Sequence, residues 1–349
     1  MNGSERGQGR GSAMDALKAR TPQSTPGGVG RPGAGRTVSV LSVSMDLGAG
    51  RRGVDMGPSA LRLADLVPRI QALGYELREA GTVHAPEPEI GEFGDARARF
   101  LPEVLTVCRE AGERVAAALD AGTLPLVLGG DHSLTMGTAA AVARHHRRLG
   151  QRAGLIWVDA HTDMNIPRTS PSGNVHGMSL AVLTGRGPES LLEMVGGGAG
   201  EGGSEGGGPT VPCFAPEHVS VLGAREIDEE ERVAVREAGI RVFTMSEIDE
   251  RGLAPCVEEA VQRATVGTAG VYVSFDLDVV DPMTAPGVGT PVPGGLNYRE
   301  AHLICEKLAS SEALLGFELV ELNPVLDLGN RTAQLGVGLV ESALGKRIL

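Results

Sequence analysis

Positive charge, cysteine and long apolar runs are all scarce in this chain. Across 349 residues, 32 Lys and Arg stand against 44 Asp and Glu, a formal net charge of −12. That balance argues against a basic footprint for nucleic acid and against attraction to an anionic lipid surface. It suits a small cationic substrate. The four cysteines (Cys108, Cys213, Cys256 and Cys305) lie far apart, with no CxxC pair. Such spacing predicts reduced, buried thiols. The polar N-terminus lacks the apolar core of a secretory signal, and no apolar run approaches the roughly 20 residues a spanning helix needs. These absences predict a cytoplasmic protein with neither nucleic acid nor membrane as partner.

Glycine, by contrast, is plentiful at 51 residues, and much of it falls in two places. Residues 1–36 are Gly, Pro, Arg and Ser without hydrophobic period. Such a stretch cannot bury enough surface to offset its ordering entropy, so it reads as a disordered extension. "VGGGAGEGGSEGGG", residues 195–208, reads as a flexible loop inserted in the domain that spans 37–349.

Between these, eight short apolar runs alternate with amphipathic stretches. The runs are 37–43, 75–80, 123–129, 153–159, 218–224, 240–245, 270–276 and 314–322. Several are apolar at consecutive positions, as strands buried on both faces should be. Helices are expected at 58–72, 99–121, 133–149, 228–238, 252–265, 297–310 and 330–346. The alternation predicts an α/β domain with a parallel, doubly wound sheet, whose ligands bind beyond the carboxyl ends of the strands.

Acidic and imidazole side chains gather at those ends. The run 123–129 exits into Asp131 and His132, and 153–159 into "DAHTD" with Asp159, His161 and Asp163. The run 270–276 exits into Asp276 and Asp278; the run 314–322 carries Glu318 and Glu321; the run 218–224 leads into "REIDEEE". Taken singly, "GDHS" fits a turn with a helix cap and "DLD" fits a solvated loop. "DAHTD" is harder to dismiss, because alternate side chains at a strand end share one face. Four crowded carboxylates also repel: at ~4 Å and an effective dielectric of ~20, each like pair costs about 4 kcal/mol. They need cations. Two divalent ions would offset the charge of Asp159, Asp163, Asp276 and Asp278, with one of His132 and His161 on each. Oxygen and imidazole without thiolate favour Mn²⁺ over structural Zn²⁺, and a pair of ions activates a bridging hydroxide for hydrolysis.

"GGDHS" (129–133), "DAHTD" (159–163) and "SFDLDVVDP" (274–282) resemble the three metal-binding signatures of the ureohydrolases, the family of arginase, agmatinase and relatives. The similarity runs from about residue 37 to the C-terminus. It implies a three-layer α/β/α fold with an eight-stranded, mostly parallel sheet, and two Mn²⁺ per chain. By resemblance His132 is a terminal ligand of the first ion and His161 of the second, Asp159 and Asp276 bridge, Asp163 binds the first and Asp278 completes the second. "MNIPRTSPSGNV" (164–175) resembles the arginase segment whose Asn and Ser read the substrate α-carboxylate, here Asn165 and Ser172. "AREIDEEE" implies Asp228 for the α-ammonium, with Glu231 one turn onward. "VELNP" implies Glu321 for the guanidinium, "GVGTP" a pocket Thr290, and "NVHGM" a proton-shuttling His176. The implied reaction is hydrolysis of L-arginine to L-ornithine and urea by a metal-bridging hydroxide, in a homo-oligomer, trimer or hexamer. Two alternatives stand beside it. One is an agmatinase or guanidinobutyrase, whose substrates would leave some of Asn165, Ser172 and Asp228 without a purpose. The other is an inactive homologue with a regulatory role, for which loss of a metal ligand would be expected.

Overall fold

The computed structural model of the chain describes residues 31–196 and 212–348. All eight apolar runs are strands of one sheet: β1 Thr37–Ser44, β2 Glu76–His84, β3 Leu124–Leu128, β4 Gly154–Val158, β5 Val219–Ala224, β6 Arg241–Thr244, β7 Val271–Asp276 and β8 Leu314–Val320. Their order across the sheet is β2-β1-β3-β8-β7-β4-β5-β6. Every pairing in it is parallel. The strands' apolar side chains alternate between two cores. In β4, Ile156 and Val158 face one core and Leu155 and Trp157 the other. Burial on both faces is why the central strands read as unbroken apolar runs; β2, at one edge of the sheet, is largely exposed.

The first core is closed by α1 (Gly57–Leu63), α2 (Leu66–Ala72), α8 (Met245–Arg251), α9 (Leu253–Thr265), α10 (Tyr298–Ser310) and α11 (Arg331–Ala343). The second is closed by α3 (Leu101–Asp120), α4 (Thr135–Arg148), α5 (Ser179–Leu183), α6 (Glu189–Gly196) and α7 (Glu229–Ala238). The result is three layers, helix, sheet and helix. All four cysteines are free and buried, as their spacing predicts. No described helix is long and apolar enough to cross a membrane.

Several boundaries differ from expectation. The stretch 58–72 is two helices, because Asp65 takes a left-handed backbone (φ 64°) and Pro68 cannot supply the N–H that a continuous helix requires. Of the expected N-terminal extension, residues 1–30 lie outside the described residues. Residues 33–36 form a turn tied to the fold by Gly33 N–H donating to Leu73 O at 3.1 Å. The expected loop at 195–208 begins instead inside α6, which runs through Gly196; residues 197–208 lie outside the described residues.

Candidate active site

Five loops meet beyond the carboxyl ends of β3, β4, β5, β7 and β8. They surround a cavity of about 360 Å³ lined by His161, Asp163, Asn165, Ser172, Asn174, His176, Glu226, Asp228, Glu231, Asp276, Asp278 and Thr290, among others. The loop after β3 depends on Gly130: a Cβ there would stand 1.9 Å from Met45 O, so only glycine lets the β1 and β3 loops close together. Asp131 then caps the next turn, accepting from Ser133 N–H and from Gly48 N–H, each at 2.9 Å. Asp131 is thus an anchor of two loops.

His132 is buried beneath the cavity. Its Nε2 bonds Ser274 Oγ at 2.7 Å and its ring stacks on Trp157 with centroids 4.0 Å apart. Its Nδ1 has no hydrogen-bond partner, yet lies 3.1 Å from Asp159 Oδ2, 3.1 Å from Asp276 Oδ2 and 3.3 Å from Asp163 Oδ2. A buried nitrogen facing three carboxylates without a satisfying bond is what a metal position looks like from the ligand side. His161 Nδ1 lies 3.0 Å from Asp278 Oδ2 and 3.4 Å from Asp159 Oδ1. Two groups therefore have ligand atoms close enough to share an ion: His132 with Asp159 and Asp163, and Asp159 with His161 and Asp278. Asp159 belongs to both, as a bridging ligand must. Asp276 stands against His132 and accepts from Asp278 N–H at 2.7 Å. The donor set fits a pair of hard divalent cations.

Charge in this cluster is strongly perturbed. Burial raises Asp163 and Asp276 well above the ordinary carboxylate range, and the Asp159 charge adds to both. Burial opposes ionisation of Asp159 too, but His132 and His161 overcome it and hold it below the usual range. His132 and His161 resist burial in turn and stand well above an ordinary imidazole through their carboxylate neighbours.

"DAHTD" does not share one strand face, contrary to expectation. β4 ends at Val158, and 159–165 is loop. Asp163 sits at φ 49°; its side chain is aimed by that left-handed backbone rather than by a pleat. Glu321 also has positive φ, 63°. Both lie in the cluster, where backbone strain of order 1–3 kcal/mol is held by the surrounding fold. Of the two glutamates of β8 and its exit, only Glu321 joins the site. Its Oε1 accepts from His132 N–H at 2.8 Å and lies 2.9 Å from His176 Nδ1, and its Oε2 has no partner. Burial disfavours charge on His176, but Glu321 outweighs it and raises the imidazole to about 9. Glu318 instead points into the second core, where Thr138 and Tyr272 donate to it at 2.6 and 2.8 Å.

The remaining residues line the opposite wall. Asp228 caps α7, and Asn165 Nδ2 donates to its Oδ2 at 3.2 Å. Glu231 reaches the cavity wall with both oxygens engaged: Oε1 by Thr162 Oγ1 and Met164 N–H, each at 3.0 Å, and Oε2 by Asp228 N–H at 3.1 Å. It therefore acts by holding Asp228 and the 162–164 loop in place. Thr290 Oγ1 donates to Asp278 Oδ2 at 2.9 Å, so it too steadies a carboxylate of the cluster. Ser172 is exposed at the mouth, where its Oγ accepts from Asn174 N–H at 3.2 Å.

Sequence reasoning missed Trp157, Ser274 and Asn174. Trp157 donates from Nε1 to Asp159 Oδ2 at 2.9 Å, and Asn174 has a buried Oδ1 without a partner. The signals were present: Trp157 is the single tryptophan, two residues before Asp159, and Ser274 is a hydroxyl inside an apolar run, two residues before Asp276.

Comparison with known proteins agrees with this architecture. The family model described as "Arginase: Arginase family" matches residues 36–345. An arginase from Bacillus caldovelox is 44% identical over 319 residues, 90% of this chain and 100% of that one. The solved native arginase of Bacillus caldovelox has a TM-score of 0.82 at 42% identity, and that of Bacillus cereus 0.80 at 43%; each comparison covers 90% of this chain and 100% of the other. The chain belongs to the arginase family.

Proposed function

We propose that the chain hydrolyses L-arginine to L-ornithine and urea with two manganese ions held by its own side chains. The observation that carries this reading is Glu321, whose Oε1 is doubly engaged while the buried Oε2 stands open. An open buried carboxylate oxygen calls for a cationic N–H donor, and guanidinium is planar and permanently charged. His132, Asp159, Asp163 and Asp276 would hold one ion, and Asp159, His161, Asp276 and Asp278 the other. When bound, the ions supply a water deprotonated near neutral pH and positive charge beside the carbon under attack.

The chain's own residues supply the rest. Glu321 orients the guanidinium. His176, kept protonated by Glu321, carries the proton that the departing amine of ornithine needs. Asp228 accepts from the α-ammonium, and Asn165, Ser172 and Asn174 receive the α-carboxylate, while Glu231 and Thr290 hold Asp228 and Asp278 in place. Exposed Val325, Leu326 and Leu328 on the loop after β8 support self-association. Urea release from arginine, agmatine and 4-guanidinobutyrate, with and without Mn²⁺, tests the reading. Manganese-dependent urea from arginine above both analogues is expected; turnover of agmatine alone defeats it.

A further inference from the structure

Arg225 opens the loop after β5, and among the described residues its guanidinium forms no ion pair with a carboxylate. It is spent on backbone. Nη2 donates to the carbonyl oxygens of Asp278 and Val292, each at 2.7 Å. Nη1 donates to Val279 at 3.1 Å and Gly223 at 3.4 Å. Nε is shared between Val292 and Pro293, each at 3.2 Å. The backbone N–H of Arg225 donates to Ala160 O at 2.8 Å. One half-buried residue thus joins the loop carrying His161, the loop carrying Asp278 and the segment carrying Thr290. The seat is close-fitting: a Cβ on Gly295 would stand 2.6 Å from Nη2.

Two effects of opposite sign follow from that position. A fixed positive charge beside metal-binding carboxylates repels an incoming cation, so on charge alone its removal would tighten binding. The planar fork also sets the main chain of Asp278 against His161, and on geometry its removal would loosen binding. The number of backbone bonds decides between them, since without the fork several carbonyls lose their donor at once. We propose that Arg225 is the positioning residue of the second metal site, fixing Asp278 and the Thr290 segment relative to His161 and so setting the affinity for the second ion. The inference rests on the two-ion reading above.

Calorimetric titration of the metal-stripped full chain with Mn²⁺ tests it, comparing the wild-type chain, Arg225→Ala and Arg225→Lys, with Asp278→Ala marking which binding step is the second site. In Arg225→Ala that step should weaken at least about tenfold, while the first changes less than about twofold. Arg225→Lys keeps the charge without the fork and should recover only part of the loss. If Arg225→Ala fails to fold, Arg225→Lys carries the test alone, with the same site-selective weakening expected. Unchanged or tighter binding in Arg225→Ala, equal loss at both sites, or full recovery in Arg225→Lys overturns the inference. A wild-type chain that takes up fewer than two ions defeats the two-ion reading and this inference together; two ions in the wild-type chain with no change in Arg225→Ala defeats the inference alone.

Discussion

Replacing Asp228 separates substrate reading from metal chemistry. The residue caps α7, and its backbone N–H is held by Glu231 Oε2 at 3.1 Å, so an alanine there does two things at once. Loss of the cap costs about 1 kcal/mol of stability, and loss of one charge-assisted hydrogen bond to an α-ammonium costs about 1.5–3 kcal/mol of binding. Asn caps a helix about as well as Asp. Asp228→Asn therefore keeps the cap and removes the charge, at the cost of the bond that Asp228 accepts from Asn165. KM for arginine should rise roughly ten- to more than a hundredfold, with metal content unchanged, because Asp228 is absent from both metal-binding groups. 5-Guanidinopentanoate, which is arginine without its α-ammonium, is the internal control. Its KM should be the same in the Asp228→Asn variant and the parent. Steady-state urea assays with both substrates, alongside metal analysis, give all the quantities. Loss of manganese, or equal weakening toward the two substrates, refutes Asp228 as the α-ammonium acceptor.

Asp278→Ala should behave in the opposite way: occupancy of the second ion falls and kcat falls with it, read by metal analysis and urea release on one preparation. His176→Asn removes an imidazole that Glu321 raises to about 9. The folded metal-free chain holds a proton there that the unfolded chain releases near pH 6.5, so this contact stabilises fully below that pH and its contribution is lost as pH rises to about 9. Denaturant titrations between those limits should show a gap between wild-type and His176→Asn that closes with rising pH; a constant gap contradicts the coupling. With metals loaded, the same variant should lose about 10²- to 10⁴-fold in kcat, as removal of a general acid does, with little change in KM.

Most of the sheet was legible in the sequence because its central strands are buried on both faces, which leaves no polar alternation to confuse the pattern; the edge strand β2 is largely exposed and reads less clearly. Only the ends of the runs were misjudged. The candidate metal ligands were legible for a different reason: crowded carboxylates at strand exits have no stable ionised arrangement without cations or protons. What stayed hidden was backbone. The left-handed turns at Asp163 and Glu321 aim the side chains, and neither residue type advertises positive φ as glycine does. The break between α1 and α2 was written in Pro68 but masked by a helical apolar period running through it. Trp157 and Ser274 support His132 from inside apolar strands, where an uncharged side chain reads as core. Arg225 was invisible as a hub because all its partners are carbonyls, and carbonyls leave no mark on sequence. Short helices such as α5 and α6, beside a glycine-rich stretch, fell below the length at which periodicity can be counted.

The central claim is that two cations sit side by side beyond the carboxyl ends of β3, β4 and β7 and share Asp159. Diffraction from crystals of the manganese-loaded protein, recorded near the manganese absorption edge, tests it most directly. Two anomalous peaks are predicted, one against His132, Asp159 and Asp163 and the other against Asp159, His161 and Asp278. A single peak, or peaks away from these side chains, contradicts the account.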